Sequence, residues 1–496
     1  MTDGRDVGVA IVGSGFGGLG AAIRLREAGM EDFVILERAD GLGGTWRENT
    51  YPGCACDVPS HLYSFSFALN PDWSRFYAPQ REILDYLRRI AGERGITEHI
   101  VFGAEVRSGR WDEVQQRWLI ETSAGPVRAR AVIAAAGPLS EPAIPDLPGL
   151  SSFGGKVFHS AQWDHDHDLS GDRVAVIGTG ASGAQLIPYV QRTAAQLDVY
   201  QRTPGWILPR GDRAIRRAER ALFRRAPYVQ RGVRSLIYYA LELVVIGLTI
   251  DQRALSLLES IARAKLRRSV SDPGLRAKLT PHYRIGCKRI IFSDDYLPAL
   301  TQPNVELITS GIEEIDEHGI RTADGRYRRA DTIILGTGFK ATDSQIARRL
   351  VGRGGRTLAE TWQEGGMQAY LGTVISGFPN LFFLIGPNTG LGNNSMINII
   401  EGQLVFILDA LRALSAPGVA ELDVRPAVQE RYNVRLQHRM RDTVWMNGGC
   451  SSWYLSEDGT NRTLWPSFSD AFKRRLAGFG VEDFEVVGER GEAAGV

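Results

Sequence analysis

The chain has 496 residues, about three domains at ~150 residues each, which excludes a single simple sheet and favours a multidomain enzyme. Its 58 basic and 57 acidic residues leave a net charge of +1, which gives no footprint of a nucleic-acid binder and points to small-molecule partners. With 43% hydrophobic and 23% charged residues it reads as an ordinary globular protein, with a loose tail at 488–496.

Met1 to Gly8 runs directly into an apolar strand, Val7 to Val12, with no basic stretch ahead of a cleavable apolar segment. No export signal is read, and a cytoplasmic location is expected. The strand leads into Gly13-Ser14-Gly15-Phe16-Gly17-Gly18, a helical stretch Leu19 to Ala28, Gly29 as its stop, and a second strand Phe33 to Leu36 ending in Glu37. This is a complete βαβ unit. The glycines permit a tight turn and a close approach of backbone amides to a pyrophosphate at a helix N-terminus. Glu37 stands where an acid would accept hydrogen bonds from a ribose.

Four cysteines, Cys54, Cys56, Cys287 and Cys450, are too few and too scattered for a disulfide framework, and the Cys-x-Cys pair lacks zinc-spaced partners. No metal is expected, and neither Cys-x-x-Cys nor Cys-x-x-x-x-Cys is present to suggest dithiol redox chemistry.

A second glycine loop, Gly178-Thr179-Gly180-Ala181-Ser182-Gly183, follows the strand Val174 to Ile177 and precedes a helix that contains Pro188. The next strand, Leu197 to Tyr200, is followed by Arg202, where the first unit has Glu37. An arginine there suits a 2'-phosphate, so NADP is preferred over NAD; the alternative is a surface arginine without a ligand. Two dinucleotide sites on one chain imply electron transfer between two carriers, one of them a flavin. The apolar stretches Arg128 to Gly137 and Asp331 to Phe339 place the crossings between domains near 148 and 331. The predicted architecture is α/β: two Rossmann-like dinucleotide-binding domains, the second (149–330) inserted into the first (1–148 and 331–487), plus a helical insertion at about 212–280.

Within that insertion, Ser235 to Ile250 is apolar but contains Glu242 and is shorter than the ~20 residues a bilayer requires. It is read as a buried helix rather than a membrane span. The lesser alternative is a membrane-facing helix, because Arg216, Arg217, Arg220, Arg224 and Arg225 precede it. The excess of arginine over the six lysines is taken as compositional.

Phe153-Gly154-Gly155-Lys156-Val157-Phe158-His159-Ser160-Ala161-Gln162-Trp163-Asp164 resembles the pattern Phe-x-Gly-x-x-x-His-x-x-x-Trp-Pro/Asp of the class B flavin monooxygenases, most closely the Baeyer-Villiger monooxygenases. Gly43-Gly44-Thr45-Trp46 and Tyr51 to Phe65 resemble the family's flavin-contacting loop, Gly286-Cys287-Lys288-Arg289 its catalytic-arginine segment, and Gly386-Pro387-Asn388 through Asn394-Ser395-Met396 the segment passing the isoalloxazine ring. The resemblance implies FAD on Gly13, Ser14, Gly15, Gly18, Glu37, Thr45, Trp46, Asp57, Tyr63, the backbone of Val106, and Met396. It implies NADPH on Gly178, Thr179, Gly180, Ser182, Gly183, Arg202, Thr203 and Lys288. Arg289 would be catalytic and Asp57 would orient it, the alternative for Asp57 being a loop-stabilising acid. His159 is taken as structural. Trp453 and Tyr454 suit exclusion of water or plain packing equally.

The implied activity is NADPH- and FAD-dependent insertion of one oxygen atom from dioxygen into a ketone, through a C4a-peroxyflavin, with sulfides as side substrates. N- or S-oxygenation is the alternative, and a membrane-associated NADPH-binding protein or a peroxide-releasing oxidase is the reading from another class. The stretches Gly448 to Leu455 and Asn461 to Pro466 depart from the cyclohexanone-oxidising branch, so substrate identity does not carry over.

Overall fold

The computed structural model describes residues 4–341, 345–456 and 458–489; most of the tail, 490–496, lies outside them. Strand β1 (Arg5–Val12), helix α1 (Phe16–Glu27) and strand β2 (Phe33–Leu36) form the expected βαβ unit, with β1 and β2 parallel from Val9–Phe33 to Val12–Leu36. Every residue of β2 is buried. A strand covered on both faces has no polar side to show, which is why its sequence is an unbroken apolar run. Strand β3 (Ile100–Val101) extends the sheet beyond β2. Strands β4 (Val106–Asp112), β5 (Arg117–Thr122) and β6 (Gly125–Ala134) form an antiparallel meander that sets β6 parallel beside β1. The first sheet is thus mixed.

The second sheet is wholly parallel. It contains β7 (Lys156–His159), β8 (Arg173–Ile177), then helix α2 (Ala181–Thr193), β9 (Gln196–Tyr200), β10 (Val305–Ile308) and β11 (Thr332–Leu335), in the order β10-β9-β8-β11-β7. Pro188 is accommodated inside α2, on its buried face. Because β11 lies between β7 and β8, the chain re-enters the first sheet after Leu335 rather than near 331. An apolar strand ending in small residues has the same composition in either sheet, so its allegiance could not be read. The return is made by β12 (Leu350–Val351) beside β4 and β13 (Leu381–Phe383) beside β6.

The insertion contains α3 (Arg217–Arg225), α4 (Pro227–Thr249) and α5 (Ser256–Ser269). The expectation of a short buried helix at 235–250 is corrected. Helix α4 has 23 residues, starts on a proline whose fixed φ suits a first turn, and only seven of its residues are buried. It is long and apolar enough to cross a membrane by length and composition. Helix α6 (Met396–Leu414) is capped by Ser395, whose side chain accepts from the Ile397 amide, and packs against α1.

A further correction concerns the cysteines. Cys287 and Cys450 form a disulfide across 163 residues, with their Cα atoms 6.2 Å apart. The fold brings the two together, and sequence spacing carries no information about that.

Candidate active site

The first glycine loop is shaped by close backbone approach. Gly13 has φ +100°, and a Cβ on Gly18 would lie 1.9 Å from the Gly13 carbonyl oxygen, so the strand and helix could not come together around any larger residue. Gly15 caps α1 with no side-chain hydrogen bond, and the first turn holds no acid. The free first-turn amides and the helix dipole therefore face the loop, an arrangement that fits a pyrophosphate. The Ser14 amide and hydroxyl both donate to Glu37 Oε2, at 2.9 and 2.6 Å, and the Ala39 amide donates to Oε1 at 2.9 Å. These bonds fix the buried Glu37 carboxylate at the end of β2.

Gly43 donates to the Ser14 carbonyl and Gly44 crosses Gly15 so closely that a Cβ would meet its Cα at 2.9 Å, bringing Thr45 and Trp46 over the loop. Trp46 Nε1 donates to the Tyr63 hydroxyl at 3.0 Å, and Phe16 meets Tyr63 edge-on with centroids 5.2 Å apart. Met396 opens α6, its sulfur accepting from the Leu391 amide at 3.4 Å. Val106 opens β4, and its carbonyl accepts from Arg349 at 2.6 Å.

The second loop repeats the design. Gly178 has φ +110°, and a Cβ on Gly183 would lie 2.4 Å from the Gly178 carbonyl oxygen. A Cβ on Gly180, by contrast, would meet nothing within 4 Å. Gly180 caps α2 without a side-chain bond and with no acid in the first turn. Thr179 lies near the buried Tyr296 hydroxyl, which has no hydrogen-bond partner among the described residues, and Ser182 lies near the hydroxyl of Tyr51. Arg202 is exposed and Thr203, beside it, half-buried. Lys288 sits with Nζ 5.4 Å from the Tyr283 ring centroid, and its pKa is lowered by burial and then by the nearby Arg202 charge. Among the described residues neither cation has an acidic partner, which leaves a pair of positive charges suited to a phosphate.

The two loops are joined by a loop that runs from Tyr51. Tyr51 Oη donates to Gln185 Oε1 at 2.9 Å, and Gln185 Nε2 donates to the Ala55 carbonyl at 3.0 Å, so helix α2 of the second site holds the loop of the first. Arg210 donates to the Cys56 carbonyl at 3.0 Å. Asp57 follows, and Arg289 donates to its Oδ2 twice, from Nε at 2.9 Å and from Nη2 at 2.6 Å. The attraction of Asp57 raises the pKa of Arg289, outweighing burial, which lowers it. The Arg289 side chain is 41% exposed, and among the described residues Nη1 has no hydrogen bond.

The structure thus brings Arg289, Asp57, Lys288 and Arg202 to the seam between the two sites. Trp453 and Tyr454 keep their ring centroids 4.5 Å apart but differ in exposure: the former is 51% exposed, the latter 2%. Tyr454 is close enough for its hydroxyl to interact with the Arg289 charge, and burial holds its pKa up. The disulfide ties this C-terminal loop to the residue two before Arg289. Gln185, Arg210 and the Cys287–Cys450 pair carried no signal in the sequence, since each acts through a partner more than 100 residues away. Burial pushes the Cys54 thiol up to about 12 and Cys56 up as well, so both stay protonated and unsuited to thiolate chemistry. His159 is buried, its Nδ1 accepting from the Ala161 amide at 3.1 Å, and burial lowers its pKa; it caps a turn beneath the second sheet.

The chain is similar to known proteins over nearly its whole length. The family model described as flavin-binding monooxygenase-like matches residues 6–231. A Baeyer-Villiger monooxygenase of Streptomyces coelicolor is 52% identical over 97% of this chain and 93% of its own length, and one of Pseudomonas aeruginosa is 50% identical over 95% and 89%. Among solved structures, an oxidized steroid monooxygenase bound to NADP superposes with a TM-score of 0.85 at 33% identity, covering 98% of this chain and 100% of that one. A closed cyclohexanone monooxygenase does so with 0.87 at 28%, over the same shares.

Proposed function

The chain belongs to the Baeyer-Villiger monooxygenases, within the flavin-binding monooxygenase-like family, and on that premise we propose that Arg289, oriented by Asp57, is the group that stabilises charge on the reacting oxygen atoms. The protein is an NADPH- and FAD-dependent monooxygenase that inserts one atom of dioxygen beside a ketone carbonyl, giving an ester or lactone.

Two uncapped helix N-termini, each beside a cradle that a Cβ would fill, fit two dinucleotides. Gly13, Ser14, Gly15, Gly18, Glu37, Thr45, Trp46, Asp57, Tyr63, Val106 and Met396 would hold FAD. Gly178, Thr179, Gly180, Ser182, Gly183, Arg202, Thr203 and Lys288 would hold NADPH, the last cation with Arg202 on its 2'-phosphate. Bound, NADPH supplies the hydride and FAD the activated oxygen.

The observation that carries the assignment is the double hydrogen bond from Arg289 to one oxygen of Asp57. It fixes the plane of a guanidinium that stays charged at any working pH and leaves Nη1 to donate to a substrate carbonyl as negative charge gathers on its oxygen. A unit pair at ~4 Å with an effective dielectric of ~20 is worth about 4 kcal/mol before desolvation, enough to decide the fate of such an anion. Tyr454 walls the site beside Arg289 and helps to exclude water. Purified enzyme with NADPH, dioxygen and panels of ketones, sulfides and amines tests the reading. Esters or lactones are expected from ketones, with sulfoxides as minor products. Turnover of amines or sulfides alone, with no ester from any ketone, overturns it.

A further inference from the structure

Helix α4 is built inside out. Its inner face carries Gln230, Arg234, Tyr238 and Glu242 at four-residue steps, all buried. Gln230 donates to the Asn70 carbonyl at 2.6 Å, and Arg234 donates to the carbonyls of His61, Leu62 and Ser64 at 2.9–3.0 Å. Tyr238 meets Ser469 and Asp470, and Glu242 accepts from Asn394 at 2.7 Å and from the amide and hydroxyl of Ser469 at 2.9 Å. The outer face is the apolar one: Leu236 is 72% exposed and Leu243 65%, with Tyr228, Tyr239 and Ile250 equally open and Leu257 of α5 continuing the stripe. A polar face bonded to the core excludes α4 from spanning a bilayer, since those bonds would have to break. It leaves a long apolar stripe lying flat on the surface, which a water-facing helix does not normally present.

Charge says what covers it. Residues 216–268 hold twelve basic side chains and four acidic ones, and two of the acids, Glu242 and Glu259, are buried. The segment is thus net +8 in a chain whose total is +1. In chain order, Arg216, Arg217 and Arg225 are exposed just before the stripe and Arg253 just after it, with Arg267 and Arg268 exposed at the end of α5. Among the described residues none of these six is in an ion pair. A second copy of the chain placed by a twofold axis would bring arginine against arginine in either orientation, because both ends are cationic. An anionic surface meets both ends favourably.

We propose that the α4 face, with its flanking arginines, docks the enzyme peripherally on an anionic phospholipid bilayer. The leucines, isoleucine and tyrosines enter the headgroup boundary while the guanidinium groups pair with lipid phosphates. Through Glu242 the same helix holds Asn394, two residues before Met396, so the docked surface and the oxygenation site share one wall.

Flotation of the FAD-loaded enzyme with phosphatidylglycerol–phosphatidylcholine vesicles, and with phosphatidylcholine vesicles alone, tests this, with ester formation from a water-soluble ketone measured in parallel. The enzyme should float with the anionic vesicles, and less so as salt is raised. Leu236→Glu with Leu243→Glu should cut the bound fraction roughly tenfold, as should Arg216→Glu with Arg217→Glu, while leaving turnover of the soluble ketone intact. The proposal is overturned by any of three results: no flotation with anionic vesicles, equal flotation with neutral ones, or binding indifferent to both pairs of substitutions. Loss of a solution dimer in the Leu236→Glu, Leu243→Glu variant would instead assign the face to a second copy and overturn the lipid partner.

Discussion

Arg289 and Arg202 ask different questions of one seam. Arg289→Ala removes the fixed cation after the cofactors are in place, so bleaching of the flavin by NADPH should persist while ester formation falls by roughly 100- to 1,000-fold. Stopped-flow reduction beside product analysis checks this, and normal ester yield would refute the role. Arg202→Ala should remove the proposed phosphate contact, so KM for NADPH should rise about tenfold or more with KM for NADH little changed. A parallel shift in both would mean that Arg202 is only a surface residue. Lys288 adds a pH dependence of known sign. Its pKa is lowered by burial and by Arg202, so it sheds its proton earlier than a free lysine as pH rises. KM for NADPH should therefore climb on the alkaline side, and Lys288→Met should flatten that climb.

At the scale of elements, the second glycine loop separates shape from binding. Gly183→Ala forces a Cβ to 2.4 Å from a backbone carbonyl, so it should lower both thermal stability and NADPH affinity. Gly180→Ala meets no protein atom and should lower the affinity alone. The docking of α3 and α4 has its own pH limit. His61 is buried between Gln230 and Phe223, and burial pushes its pKa down to about 4 from 6.5. The unfolded chain binds this proton more readily than the folded one, so stability is lost as pH falls from about 6.5 through 4, by roughly 3 kcal/mol in all. Melting curves across that range should show the loss, and His61→Gln should reduce it. Both βαβ units were legible because glycine spacing, helical period and strand composition point the same way at Gly13 to Glu37 and at Gly178 to Arg202. The orientation of α4 was not, because its apolar stripe has the same period whether it faces in or out; only the partners of Arg234 and Glu242 decide. Nor was the membership of β11, whose neighbours β7 and β8 lie more than 150 residues upstream.

Across the whole molecule, the Cys287–Cys450 bond closes the longest covalent loop in the fold and straps the C-terminal segment to the strand-free stretch that carries Arg289. Loop-closure entropy for 163 residues sets a ceiling of about 5 kcal/mol on its stabilisation. Cys450→Ser, or reduction of the native protein, should lower the thermal midpoint by several degrees and slow ester formation more than flavin reduction, since Tyr454 and Arg289 lose their common tether. An unchanged midpoint would mean that noncovalent packing holds the segment by itself.

Gln185 reaches from α2 to Tyr51 and Ala55, and the ring of Tyr189 lies where a Cβ on Gly53 would stand. For anyone engineering coenzyme choice, this means that rebuilding α2 would also retune the flavin's own surroundings. Changes meant to switch the nicotinamide donor are best confined to Arg202 and Lys288, which lie outside that bolted joint.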